Sequence, residues 1–362
     1  MTHHKQAFKI RVPGKLLLAG EYAILSPGAL ALVLAVNRYF YAEATPSVGG
    51  DVVFRLSSAQ FAEQVLQANT LDGITPQAAP EALRFAAAAW QTTVHYLQLQ
   101  GFAPAGEGLH LHLDSQLQVG SLKLGLGSSA ACCVAVVTAL CHWAWPEQDL
   151  DTLRPVIFKL AYLAHYGAQG SGSGADVAGC VYGSAVAYHR PDLSRVADPY
   201  QAEWPMLGLK KVTWPDWPLL FGWTQRSADS KTFIADFQAW QAEAPDTAEA
   251  FLFQMQMATL ALQNTLEQQD QKGFVSQLKA QRRLLQGLNT VLISPPETPA
   301  LKALADVAEA LGGAGKFSGA GGGDCGLAWV PRAYAPIVRQ HWQVQGIKPL
   351  DLGLNFDGVT LL

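Results

Sequence analysis

Apolar positions along the chain follow two periods. Residues Phe8–Val12 and Gly108–Leu113 change sides at every second position, which predicts half-buried strands. Leu30–Val36 and Tyr39–Ala44 read as two β-rich runs parted by Asn37 and Arg38. Val52–Leu56, Val181–His189, Leu219–Thr224 and Leu327–Val330 are shorter strands of the same kind. Helical spacing covers Glu81–Gln100, Leu153–Tyr166, Thr247–Gln268 and Gln271–Leu288, with further helices from about Phe233 and from Ser294-Pro295-Pro296-Glu297 to about Leu311. Met255 and Met257 are expected to fill core. Cys132–Trp143 is apolar almost throughout, as in a helix buried on all sides. Prolines 191, 199, 205, 215 and 218 mark a join between halves, expected as residues 1–200 and 201–362.

Three glycine-laced segments interrupt this pattern. Gly125-Leu126-Gly127-Ser128-Ser129-Ala130-Ala131 opens onto the apolar helix. Glycines free the backbone, and the N–H groups and positive dipole end of a helix favour an anion, so a triphosphate is expected here. A Gly-Ser turn capping a core helix is the alternative. The segment is not a P-loop, since no lysine follows its glycines. The cation and acid must therefore come from elsewhere. Gln169–Gly179 alternates glycine with small polar residues and brings Asp176 to a helix start. Lys316–Gly326 abuts a strand, which suits a backbone closing over a ligand better than a linker. Lys15 and Glu21 are charges in an apolar run and must be paired or used.

Composition narrows the classes. A chain of 362 residues predicts one large or two moderate domains. A net charge of −4 without a dense basic run argues against nucleic acid as the main partner. No apolar stretch is long enough to span a bilayer, and Met1–Phe8 has no hydrophobic signal region, so a cytoplasmic protein without a membrane partner is expected. The five cysteines form no Cys-x-x-Cys pair and read as buried thiols. His110 and His112 lack a third metal ligand and read as a polar strand face.

Together these segments resemble the GHMP small-molecule kinases over nearly the whole chain. Pro13-Gly14-Lys15 with Gly20-Glu21-Tyr22 is similar to that family's first motif, Gly125–Ala131 to its ATP-phosphate motif, and Ser318–Gly323 to its third. The resemblance implies an α+β, two-domain architecture: a half like the second domain of ribosomal protein S5, then a ferredoxin-like half. It implies ATP and Mg²⁺ as cofactors. Lys15 and Asp176 are carried over as catalytic residues. Lys123, Gly125, Leu126, Gly127, Ser128, Ser129 and Ala130 are carried over as ATP-binding, with Ser129 as metal ligand. Lys15, Glu21, Tyr22, Ser173, Gly174, Asp176, Ser318, Gly319, Ala320 and Gly321 are carried over to the acceptor. His165 stands where relatives with an alcohol acceptor carry a magnesium-binding glutamate. The Asp324-Cys325-Gly326 ending resembles the branch whose acceptor is itself a phosphate, which implies phosphomevalonate as the small-molecule partner. Mevalonate or homoserine as acceptor, a decarboxylase on the same scaffold, disfavoured by the presence of Lys15, and a silent ligand-binding homologue are the alternatives. Lys15, Arg84, Lys123 and Lys231 are the candidate cations for the acceptor's two anionic groups. Monomer and homodimer are equally compatible with the sequence.

Overall fold

The computed structural model describes residues 6–47, 53–61, 63–104, 106–120, 122–200 and 203–362. The N-terminal residues 1–5 and Val52, the expected start of a strand, lie outside them. Within the described residues the strands are β1 (Phe8–Ala19), β2 (Leu30–Ser47), β3 (Phe54–Ser58), β4 (Val65–Ala68), β5 (Gly108–Ser115), β6 (Gln118–Val119), β7 (Leu122–Lys123), β8 (Ala185–His189), β9 (Gly208–Val212), β10 (Leu219–Trp223), β11 (Ala314–Phe317), β12 (Cys325–Trp329), β13 (Lys348–Leu350) and β14 (Thr360–Leu361). The helices are α1 (Arg84–Leu99), α2 (Ser128–Ala144), α3 (Leu150–Gln169), α4 (Ala175–Tyr182), α5 (Ser230–Glu243), α6 (Pro245–Glu267), α7 (Gln271–Leu288), α8 (Pro299–Ala310) and α9 (Ala335–Val344).

The first sheet runs β14-β1-β2-β5-β3-β4, with β8 and β9 continuing from one end of β2. β2 is a single strand rather than two. Its first part pairs β8 and its later part pairs β5, and Asn37 and Arg38 lie at the changeover. There Asn37 exchanges hydrogen bonds with Gly353, which satisfies polar groups where the ladder switches partner. β9 and β14 add to this sheet although they lie beyond residue 200. The second sheet has the order β11-β12-β10-β13. Its chain order, β10, helices, β11, β12, α9, β13, is the ferredoxin-like arrangement. The fold is therefore α+β and built on two sheets, the second of them ferredoxin-like.

α2 begins at Ser128, four residues before the apolar run, because Gly127 turns the backbone left-handed immediately ahead of it. Its residues Ala130, Ala131 and Cys133–Cys141 are wholly buried between the first sheet and the neighbouring helices. Asp149, Asp229, Asp270 and Thr298 cap α3, α5, α7 and α8 by accepting backbone N–H bonds. Met255 is buried, but Met257 lies on the outer face of α6 with Phe253 and Leu260, 43% exposed, and so is not core. All five cysteines are free thiols. No helix among the described residues is long and apolar enough to cross a membrane.

Candidate active site

The Gly125–Ser129 turn, β1, the start of α4 and the β11–β12 loop meet in one cleft. Gly125 and Gly127 have φ of +74° and +77°. A Cβ on Gly127 would stand 2.6 Å from Lys15 Cε, and one on Gly125 would stand 2.6 Å from Asp324 Cβ. The glycines thus leave room for two functional side chains, not only for a ligand. The Lys15 backbone N–H donates to the Leu126 carbonyl at 2.9 Å, which fastens β1 to the turn. The Lys15 stem then crosses Gly127 and brings Nζ to 3.0 Å from Asp176 Oδ1 in the first turn of α4. Burial pushes the Lys15 ammonium down, but the charge and hydrogen bond of Asp176 outweigh it and hold the pKa above its ordinary value.

Lys15 and Asp176 stand where two cavities join. One, of about 280 Å³, is lined by the glycine turn, Ser128, Ser129 and four cations: Lys15, Arg84, Lys123 and Lys231. It continues past Lys123, Ser128 and Ser129 into a more apolar cavity of about 230 Å³ bounded by Phe40, Phe61 and Leu113. The other, of about 140 Å³, has an apolar wall of Leu17, Ile24, Leu25 and Ile234, and a polar wall of Ser173, Gly174, Gly319 and Ala320. Lys15, Gln169, Asp176 and Ser230 belong to both the 280 Å³ and the 140 Å³ cavities.

Several groups fix this geometry from behind. Ser129 Oγ lies 3.0 Å from His165 Nε2, and Phe85 stacks on that imidazole. Burial lowers the His165 pKa below that of a free imidazole. Tyr188 and Tyr162 hydroxyls donate to the carbonyls of Ser173 and Gly172. Gly174, at φ +82°, leaves space for both rings, so this glycine serves packing. Tyr22 donates to the Ala320 carbonyl at 2.7 Å and ties the first motif to the third.

Three expected ligand residues, Ser318, Gly321 and Ala130, border neither cavity, and Glu21, which borders the second, has its carboxylate engaged inside the protein. The Glu21 carboxylate is wholly buried in an ion pair with Lys316, and burial raises its pKa while lowering that of Lys316. Ser318 Oγ accepts the Leu17 N–H at 2.8 Å. Gly321 packs on Pro296, where a Cβ would meet the carbonyl at 2.5 Å. Ala130 is wholly buried in the first turn of α2 and borders neither cavity. Lys123, Gly125, Leu126, Gly127, Ser128 and Ser129 line the first cavity, and Glu21, Tyr22, Ser173, Gly174, Gly319 and Ala320 line the second.

Known proteins resemble this chain in sequence and in fold. The family pattern for the GHMP kinases N terminal domain matches residues 84–184, and that for the GHMP kinases C terminal matches 274–348. The phosphomevalonate kinase of Streptomyces sp. (strain CL190) is 31% identical over 99% of this chain and 100% of its own length. The chain belongs to the GHMP kinase family. A Lin0012 protein from Listeria innocua superimposes with a TM-score of 0.90 at 30% identity, covering 99% of both chains. Streptococcus pneumoniae phosphomevalonate kinase in complex with phosphomevalonate and AMPPNP has a TM-score of 0.79 at 25% identity, covering 96% of this chain and 99% of its own.

Two residues at or behind this cleft, Lys316 and Asp324, were given no role of their own in the sequence, although Asp324 stood in the ending that marked the branch. Lys316 carried a signal: it is a charge in an apolar run, as Glu21 is, and of opposite sign. Asp324 is a non-glycine residue at φ +49° inside a glycine loop, and it borders the first cavity beside Lys15 and Lys123. Burial pushes its carboxyl up to about 6, against the Ala228 N–H bond and the charges of Lys15 and Lys123.

Proposed function

We propose that this kinase transfers the γ-phosphate of ATP to the phosphate of (R)-5-phosphomevalonate, giving (R)-5-diphosphomevalonate and ADP. A non-bridging oxygen of the acceptor phosphate attacks the γ-phosphorus, and the β–γ bridging P–O bond breaks with its electron pair passing to ADP. The observation that carries the reading is the Lys15–Asp176 pair standing between a highly charged cavity, lined by four cations and four carboxylates, and a half-apolar one. Phosphoryl transfer depends mainly on positioning and charge neutralisation, and this arrangement suits both.

In this reading the first cavity takes the triphosphate, with N–H groups at the start of α2 and Lys123, Arg84 and Lys231 around it. The adjoining apolar cavity takes the nucleoside. The second cavity takes the acceptor. Leu17, Ile24, Leu25 and Ile234 suit its branched carbon skeleton, and Lys15 with the N-terminus of α4 suits its phosphate. Lys15 neutralises the transferring group. Asp176 orients Lys15 and the acceptor. A phosphate acceptor, whose second pKa is about 6, is largely ionised at neutral pH and needs little help from a base.

The donors in the first cavity fit a magnesium ion, being hard oxygens from Ser128, Ser129, Asp176 and Asp324. Ser129, held by His165, and the carboxylates would hold it. When bound, the ion supplies positive charge against the β- and γ-phosphates. Coupled ADP release with phosphomevalonate, mevalonate and homoserine tests the proposal. Turnover greatest with phosphomevalonate is expected. Turnover greatest with either alcohol, or none with any acceptor, overturns it.

A further inference from the structure

Asp324 is one of four carboxylates, with Glu81, Asp176 and Asp229, that line the first cavity opposite its four cations. Its carboxylate accepts the Ala228 N–H, yet Oδ1 is buried and has no hydrogen-bond partner. Neither Lys15 nor Lys123 closes an ion pair with it among the described residues. The backbone that carries it is held on both sides. Its backbone N–H donates to the Arg226 carbonyl at 2.7 Å, and its own carbonyl accepts the Thr224 N–H at 2.9 Å. Gly125 lacks the Cβ that would strike it. The chain thus holds a carboxylate with one unsatisfied oxygen, on a residue in the left-handed conformation, with its Cβ, Cγ and Oδ2 packed against the phosphate turn. Toward a bare polyphosphate this group is repulsive. With a divalent cation between them the sign reverses.

We propose that Asp324 makes this cavity take its nucleotide as the divalent-metal complex, holding the cation directly or through one of its waters. The inference rests on the reading of the cavity as an ATP site. The described residues contain no cluster of three or more His, Cys, Asp or Glu side chains able to hold a metal alone. That agrees with the chemistry of magnesium, which keeps several waters and binds through one or two carboxylates plus substrate phosphates. Asp324 and Asp176 are the two carboxylates that border the cavity beside the turn, apart from Glu81 at its rim and Asp229, whose side chain caps α5.

The test is titration calorimetry of AMPPNP, with Mg²⁺ and with EDTA, on the wild-type protein and on Asp324→Asn. Asparagine tolerates the left-handed conformation and can still accept the Ala228 N–H, so the loop is preserved. Wild type should prefer the magnesium complex. In Asp324→Asn affinity for that complex should fall by about ten- to a hundredfold, as for loss of a metal partner, with metal-free affinity unchanged or improved. An unchanged preference, or an equal loss of both forms, overturns the inference while leaving the ATP reading in place. Absence of nucleotide binding in wild type overturns both. A wild-type crystal with Mn²⁺ and AMPPNP gives an answer independent of the variant. Manganese within direct or one-water reach of Asp324 Oδ1, about 2.2 or 4 Å, supports the inference, and a more distant ion overturns it.

Discussion

Gly127→Ala isolates the contact on which the cleft depends. Gly127 sits at φ +77°, and an added Cβ would lie 2.6 Å from Lys15 Cε and 2.9 Å from its Cγ. Two effects follow. The left-handed backbone alone costs about 1–2 kcal/mol for a residue with a Cβ. The collision then drives the Lys15 stem off its course and moves Nζ from its place 3.0 Å from Asp176 Oδ1. A displacement of about 1 Å at a positioning group lowers turnover by about a hundredfold. Gly101 supplies the control: its φ is +75°, and a Cβ there meets nothing within 4 Å. Gly101→Ala should therefore show the backbone cost without the catalytic one. The assay is equilibrium urea unfolding of both variants beside steady-state ADP release. Comparable destabilisation, with turnover lost only in Gly127→Ala, is expected. If Gly127→Ala keeps wild-type kcat, the Lys15 stem is not held by this glycine and the argument fails.

Three further outcomes follow from the same geometry. Asp176→Asn should abolish kcat with little change in nucleotide affinity, read by single-turnover kinetics and calorimetry; near-normal turnover would remove Asp176 from the mechanism. Lys316→Met strands the buried Glu21 carboxylate and should destabilise the fold by about 3–5 kcal/mol, and adding Glu21→Gln should recover part of that in urea unfolding. A double variant no more stable than the single one would contradict the pairing. Because burial raises the Asp324 carboxyl to about 6, folding favours its protonated form, and wild type loses stability as pH rises from about 4 to 6. Asp324→Asn lacks that loss and should be more stable than wild type by about 1–2 kcal/mol at pH 8, but equal to it near pH 4, after allowance for partial solvent screening. Parallel unfolding curves at both pH values would contradict it.

The periodic parts of the fold were legible in the chain. The expected range Gln271–Leu288 coincides with α7, whose apolar positions recur at helical spacing and whose N-cap is Asp270. The Lys15–Asp176 meeting was suggested by a charge set in an apolar run and an acid at a helix start. What stayed hidden depends on which side of a residue faces the ligand. Glycine spacing shows that a backbone must bend, but not that Gly127 makes room for Lys15 or Gly174 for two tyrosines. Nor does a serine in a glycine loop reveal that Ser318 accepts a hydrogen bond from β1. The single span of β2 was missed because Asn37 and Arg38 look like a break, whereas the sheet changes partner there, leaving Asn37 exposed and Arg38 half-buried.

The central claim is that one lysine–aspartate pair stands between donor and acceptor. A crystal grown with ADP, Mg²⁺, aluminium fluoride and phosphomevalonate examines it directly. The account predicts a planar fluoroaluminate bridging ADP in the first cavity and the acceptor phosphate in the second, within hydrogen-bond reach of Lys15 Nζ, about 3 Å. A fluoroaluminate out of contact with Lys15, or both ligands lying in one cavity, would contradict it.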